Sequence, residues 1–167
     1  MIYERILTQL EKNNIKYLVI GGVAVWLHGY DRATKDLDLM ISFEKENMDK
    51  FIEIVKKLGL KPKVPVNIEE LADKNKREFW KTEKNMKVFS FYNPENDMEY
   101  IDIMIQDYLD FEEAYKSKEL VEFKGLGIKV KVISIEDLIK LKEIAGRDTD
   151  KIDIKKLRKI QELNNED

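Results

Sequence analysis

Three aspartates are the residues of this chain best placed to do chemistry. In "KDLDLMIS", Asp36 and Asp38 are spaced by two, so on an extended strand they share one face while Leu37, Leu39 and Ile41 turn to the other. Like charges held that close destabilise each other unless something cationic sits between them, and a hard divalent ion with oxygen ligands fits that place. In "EYIDIMIQ", alternation puts Tyr100, Asp102 and Met104 on one face and Ile101, Ile103 and Ile105 on the other. Alone, Asp102 reads as a solvent-facing acid on a half-buried strand; joined to Asp36 and Asp38 it is a third carboxylate. The chain has no cysteine and one histidine, which excludes thiolate and His-rich zinc sites and disulfides. Metal chemistry here is therefore carboxylate chemistry, which favours Mg²⁺ or Mn²⁺.

The elements that must position these acids follow from the pattern. A first amphipathic helix over about 2–13 leads into the strand "KYLVIG", and Gly21-Gly22 opens a second helix through "VAVWLHGY". The turn "DRATK" precedes the "DLDLMIS" strand, and an amphipathic helix near 45–58 stops at Gly59. Residues 60–67, with Pro62 and Pro65, read as loop, and 68–82 as a helix or lid. "MKVFSFYN" and "EYIDIMIQ" are strands joined by the turn "PEND". A helix near 108–117, a hairpin through "KGLG" and two closing helices, about 135–146 and 149–163, complete the order. Hairpins mixed with strand-helix units define an α+β class with a mixed sheet flanked by helices. The division is a core over 1–133 and a small C-terminal helical lobe over 134–167 packed on it as one compact unit.

Several residues offer contacts to an anion. Glycines at a helix start let backbone N–H groups approach a phosphate, against the plain alternative of a tight turn, so Gly21 and Gly22 are candidates. Arg32 and Lys35, just before the acid strand, either contact phosphate or cap the loop. On a wheel of about 100° per residue, Ile135, Leu138, Ile139 and Ala145 form an apolar stripe with Lys142 in its middle, while Lys140 and Glu143 fall outside. A lysine centred on a buried face needs an anionic partner, or else snorkels. Asp150 and Asp153 share the face of Ile154 and Leu157, with Arg147 one turn before; the simplest reading is an ion-pair network docking the lobe, with Arg147 a further candidate for nucleotide contact. His28, beside Trp26, reads as a satisfied structural histidine. "FSFY" reads as strand core rather than a base-stacking platform.

The glycine pair at a strand-to-helix turn, the Arg-x-x-x-Asp-x-Asp strand and the later strand acid resemble the DNA polymerase β-like nucleotidyltransferase superfamily. "GGVAVWLHGYDRATKDLDL" with "SIEDLIKLKEIAGRDTDKIDIKKL" is similar to the small bacterial nucleotidyltransferases related to the abortive-infection, type IV toxin-antitoxin, group. The resemblance implies that Asp36, Asp38 and Asp102 bind two metal ions that position a nucleoside triphosphate. An acceptor hydroxyl then attacks the α-phosphate and pyrophosphate leaves. It also implies a phosphate-binding lysine at Lys142. Many members have Gly-Ser where this chain has Gly21-Gly22, so the serine contact to phosphate is absent here.

The expected activity is transfer of a nucleoside monophosphate to a hydroxyl or phosphate acceptor, with RNA such as tRNA, a protein or a small molecule all open. The alternative is a non-catalytic nucleotide-binding or toxin-antitoxin interaction module, with an antitoxin-like protein as partner. Lysine plus arginine (30) nearly cancels aspartate plus glutamate (33), giving a formal net charge of −3, which argues against a dedicated nucleic-acid coat. No apolar run approaches a membrane span and the N-terminus lacks the layout of a secretory signal, so a cytoplasmic protein without membrane partners is expected.

Overall fold

The computed structural model describes residues 2–166. Its first helix, α1 (Ile2–Lys12), buries Ile2, Tyr3, Ile6, Leu7 and Leu10 along one stripe. The chain then enters β1 (Tyr17–Ile20), all four residues of which are buried. Next come α2 (Gly21–Leu27), β2 (Leu37–Ile41), α3 (Lys45–Lys57) and a two-residue strand β3 (Lys61–Pro62). A 3₁₀ turn over Ile68–Ala72 precedes α4 (Lys74–Glu83), β4 (Val88–Asn93) and β5 (Asn96–Met104). The chain ends with α5 (Phe111–Lys116), β6 (Glu119–Phe123), β7 (Ile128–Val132), α6 (Ile135–Ala145) and α7 (Asp148–Glu166). This is the expected α+β architecture.

The seven strands form one mixed sheet in the order β3-β4-β5-β2-β1-β7-β6. The centre of that order matters most for function: β2 runs parallel to β5 and antiparallel to β1, and β4 is antiparallel to β5. One face carries Leu37, Leu39, Ile101, Ile103, Phe89 and Phe91, all essentially inaccessible to water, and it supplies much of the core. The other face carries the acids.

Two expectations change. Residues 60–67 are not all loop, because Lys61 pairs with Tyr92 and Pro62 with Phe91 at the sheet edge, where proline's missing N–H costs nothing. The 68–82 segment is not a lid. It breaks at Asp73, whose side chain accepts from the backbone N–H groups of Asn75 and Lys76, and Trp80 packs on Phe89 with ring centroids 5.2 Å apart, on the face away from the acids.

The closing helices are capped as their sequence demands: the Ser134 side chain accepts from the Asp137 N–H, and Gly146 ends α6 in the left-handed conformation (φ 63°). Ala145, read as part of the buried stripe of α6, is exposed in that last turn. Leu138, Ile154 and Leu157 belong to the same hydrophobic core as the sheet. His28 is structural, as expected: its Nε2 donates to the Ile133 carbonyl at 2.7 Å and Nδ1 lies 3.4 Å from Glu119, tying the end of α2 to the β6–β7 side.

Candidate active site

The register of β2 on β5 brings the acids together. Asp38 stands directly opposite Asp102, and Asp36 lies one pleat away beyond Leu37, which pairs with Ile101. Three carboxylates from segments some sixty residues apart therefore share one face. Burial, then the nearby charges of Asp102 and Asp36, push the Asp38 carboxyl up to about 7 against the opposing pull of Lys142 and Arg147. Asp102 is also raised, first by burial, although hydrogen bonds from Ser90 and Asp38 relieve part of the cost. Asp102 and Asp36 thus each raise the cost of ionising Asp38, as carboxylates crowded on one face do.

Among the described residues, no three acidic or histidine side chains are drawn together tightly enough to hold an ion as they stand. The donor set nevertheless suits one. Carboxylate oxygens are the ligands that Mg²⁺ and Mn²⁺ take, and a divalent cation among them would offset the mutual repulsion that helps to raise Asp38.

The glycine turn has two separate reasons to be glycine. Gly21 has φ 66°, and a Cβ there would stand 2.1 Å from the Asp38 Oδ2 atom, so the carboxylate packs directly on the turn. At Gly22 a Cβ would meet the Arg32 guanidinium at 2.0 Å and the Thr34 hydroxyl at 2.8 Å. The sequence reading assigned both glycines to phosphate approach, whereas the second makes room for Arg32. Gly21→Ala is expected to cost about 1–3 kcal/mol through the left-handed backbone alone, and to displace Asp38 as well. Its denaturation midpoint and transfer rate should both fall.

Behind the turn lies a buried ion cluster that joins the closing helices to the acid loop. Lys142 is only 5% exposed, with its ammonium 2.9 Å from Asp153 Oδ2 and 3.4 Å from Asp150 Oδ1. Arg147 donates to Asp150 through its backbone N–H and its guanidinium, at 3.1 and 2.8 Å. Burial would raise the Asp150 carboxyl, but these bonds and Lys142 hold it below its ordinary range. The expected network is present, and it has a further member: Arg32 Nε lies 3.0 Å from Asp153 Oδ1. Arg32, Lys142 and Arg147 are therefore gathered on one flank of the acids. Lys35, next to Asp36 in the chain, is exposed and makes no hydrogen bond or ion pair among the described residues.

Sequence reasoning missed two neighbours of the acids. Ser90 was absorbed into a core strand, although alternation along "FSFY" sets it opposite Asp102, to which its hydroxyl donates. Tyr3 lies in the first amphipathic helix; burial, then Asp36, Glu99, Asp38 and Asp102, push its hydroxyl up to about 12, which marks it as standing at the edge of the acid cluster. No local signal in α1 distinguishes it from the other buried residues of its stripe.

The chain belongs to the family described as "Nucleotidyltransferase of unknown function (DUF6036)", whose model matches residues 1–166. No curated protein matches it. Among solved structures it is similar to the lincosamide antibiotic adenylyltransferase LnuA bound to lincomycin, at 21% identity and TM-score 0.60 over 96% of this chain and 98% of that one. It is similar also to ANT(2")-Ia in complex with adenylyl-2"-tobramycin, at 18% identity and TM-score 0.59 over 97% and 92%. An antigenic nucleotidyltransferase-like protein from Paracoccidioides brasiliensis matches at 17% and 0.59 over 97% and 74%. At these identities the structures speak for the fold. The family supplies the enzyme class, a nucleotidyltransferase.

Proposed function

We propose that this protein transfers a nucleoside monophosphate from a nucleoside triphosphate to a hydroxyl of a small-molecule acceptor, with divalent ions held by Asp36, Asp38 and Asp102. The observation that carries this reading is the side-by-side register of Asp38 and Asp102 with Asp36 one pleat away. Bound there, Mg²⁺ or Mn²⁺ supplies a lowered pKa for the attacking hydroxyl and charge neutralisation for the leaving pyrophosphate. The chain's own residues do the rest. Lys142, Arg147 and Arg32 form the cationic flank against which the triphosphate is oriented. Asp102, held by the Ser90 hydroxyl, is placed to take the acceptor's proton. Gly21 keeps the Asp38 carboxylate close to the turn, so nucleotide and acids meet without a side chain between them.

The small-molecule acceptor is supported by two fold relatives that carry lincomycin and an adenylylated tobramycin. None of the relatives named here points to a toxin or an antitoxin-like partner. No helix among the described residues is long and apolar enough to cross a membrane.

The test is incubation with each α-labelled triphosphate and Mg²⁺ against pools of RNA, protein and hydroxylated small molecules. Label should enter the small-molecule pool with release of pyrophosphate, and EDTA should abolish it. Release of inorganic phosphate with no labelled acceptor would make the protein a hydrolase instead.

A further inference from the structure

The acids have a second flank, and its chemistry differs from the first. Along β5, Met98, Tyr100 and Asp102 share one face; along β4, Tyr92 and Ser90 stand opposite Tyr100 and Asp102. Asp36 adjoins Tyr100 on the other side, because Leu37 pairs with Ile101. The row next to the acids is thus two partly buried tyrosines, extended by Met98 at 60% exposure. Lys63 closes this ledge. Its backbone N–H donates to the Ser90 carbonyl at 2.9 Å, continuing the β3 edge, and its ammonium lies 4.7 Å from the centre of the Tyr100 ring. Lys63 thus stands across β4 from Asp102, whereas Gly22 and Arg32 lie on the β1 side of Asp38. The acids therefore sit between two cationic flanks.

The two flanks are not equivalent. The one formed by Arg32, Lys142 and Arg147 concentrates three cations and matches a triphosphate. The other sets the exposed Lys63, with exposed Lys61 two residues before it on the same edge, against the partly buried rings of Tyr100 and Tyr92 beside Asp102, where the attacking hydroxyl must stand. We infer that Lys63, Tyr100 and Tyr92 form the acceptor subsite, and that the acceptor carries a planar ring, which stacks on the tyrosines, and an anionic group, which pairs with Lys63. This rests on the transferase reading above and narrows it. A ring joined to a phosphate is the chemistry of a free nucleotide, which is a small molecule. A polyamine sugar such as tobramycin meets lysine of its own sign on this ledge.

The inference is tested by binding, with the triphosphate flank saturated by α,β-methylene-ATP and Mg²⁺, and again in EDTA without the analogue. AMP, adenosine and ribose 5-phosphate are titrated by ligand-observed NMR. AMP should bind tightest of the three. Lys63→Ala should weaken AMP and ribose 5-phosphate by roughly three- to tenfold, the size of one exposed charge-assisted contact, and leave adenosine unchanged. Tyr100→Leu should weaken AMP and adenosine but not ribose 5-phosphate. Lys63 is exposed and bonded through its backbone, so the fold survives its truncation. A short oligoribonucleotide with a free 3'-hydroxyl is the control: binding equal to or weaker than AMP is expected, and tighter binding would overturn the free nucleotide in favour of an RNA end. The inference is overturned if Lys63→Ala leaves AMP affinity unchanged, if tobramycin binds better than AMP, or if Lys63→Ala weakens the triphosphate analogue instead. Loss of analogue binding in the wild type would count against the transferase reading alone, since the EDTA titration reports the ledge without it.

Discussion

Asp38→Asn is expected to abolish nucleotidyl transfer while making the ligand-free protein more stable. The loss of rate should be about a thousandfold or more, as when a preorganised electrostatic contact to developing charge is removed. The gain in stability follows from the cost of keeping this carboxylate ionised. It is packed against Gly21, opposite Asp102 and one pleat from Asp36, and its carboxyl is pushed up to about 7 from the ordinary 3.8. An asparagine of the same shape carries no charge and offers Asp102 an N–H donor at every pH.

The pH dependence has a definite sign. Because the folded carboxyl holds its proton to higher pH than the unfolded one, its contribution to stability is fully present below about pH 4 and is lost as pH rises to about 7. In EDTA, wild type and Asp38→Asn should melt together near pH 4 and separate progressively up to pH 7.5, by an amount on the order of 2–4 kcal/mol. Asp36→Asn, with its carboxylate nearer the strand end, should show the same loss of transfer. A stability difference independent of pH, or near-wild-type transfer in either variant, would show that these acids are not the repelling, metal-holding set described above.

The parts of this site that were legible in the sequence are those carried by local periodicity. Alternation set Asp36 and Asp38 on one face and Asp102 on the acid side of its own strand, and helical spacing picked Lys142 out of α6. What alternation does not reveal is which strands are neighbours. The Asp38–Asp102 contact exists because β2 and β5 pair in parallel across α3, β3, α4 and β4, and strand pairing over such a separation leaves no mark in either segment. The same applies to Gly22, whose identity is set by a guanidinium ten residues on, and to Arg32, whose partner Asp153 comes from the far end of the chain. β3 was invisible for another reason: two residues, one of them proline, carry no pattern, and only the edge of β4 makes them a strand.

Lys142 carries the second large effect, and the cluster around it changes what its replacement does. Periodicity alone suggests that Lys142→Met keeps the packing and leaves the protein as stable as before. The ammonium, however, neutralises Asp150 and Asp153, both about 1–2% exposed, so its removal leaves buried carboxylates short of a cation. Breaking a buried pair costs about 3–5 kcal/mol, and the lower end is expected because Asp153 keeps Arg32 and Asp150 keeps Arg147. Nucleotide affinity should fall separately. The field of Lys142 reaches Asp38, which places its charge beside the acids where a triphosphate must lie. A charge-assisted contact of about 1.5–3 kcal/mol raises the dissociation constant for the triphosphate on the order of ten- to a hundredfold. The two effects are separable, since Lys142→Met combined with Asp153→Asn removes the uncompensated carboxylate and should recover much of the stability but none of the affinity. Lys140→Met, whose exposed ammonium pairs only with Glu136 and Asp137 at 3.7 and 3.4 Å, should change neither by more than about 0.5 kcal/mol. Full recovery of both stability and affinity in the double variant would make Lys142 a strut of the closing helices and leave the triphosphate to Arg147 and Arg32.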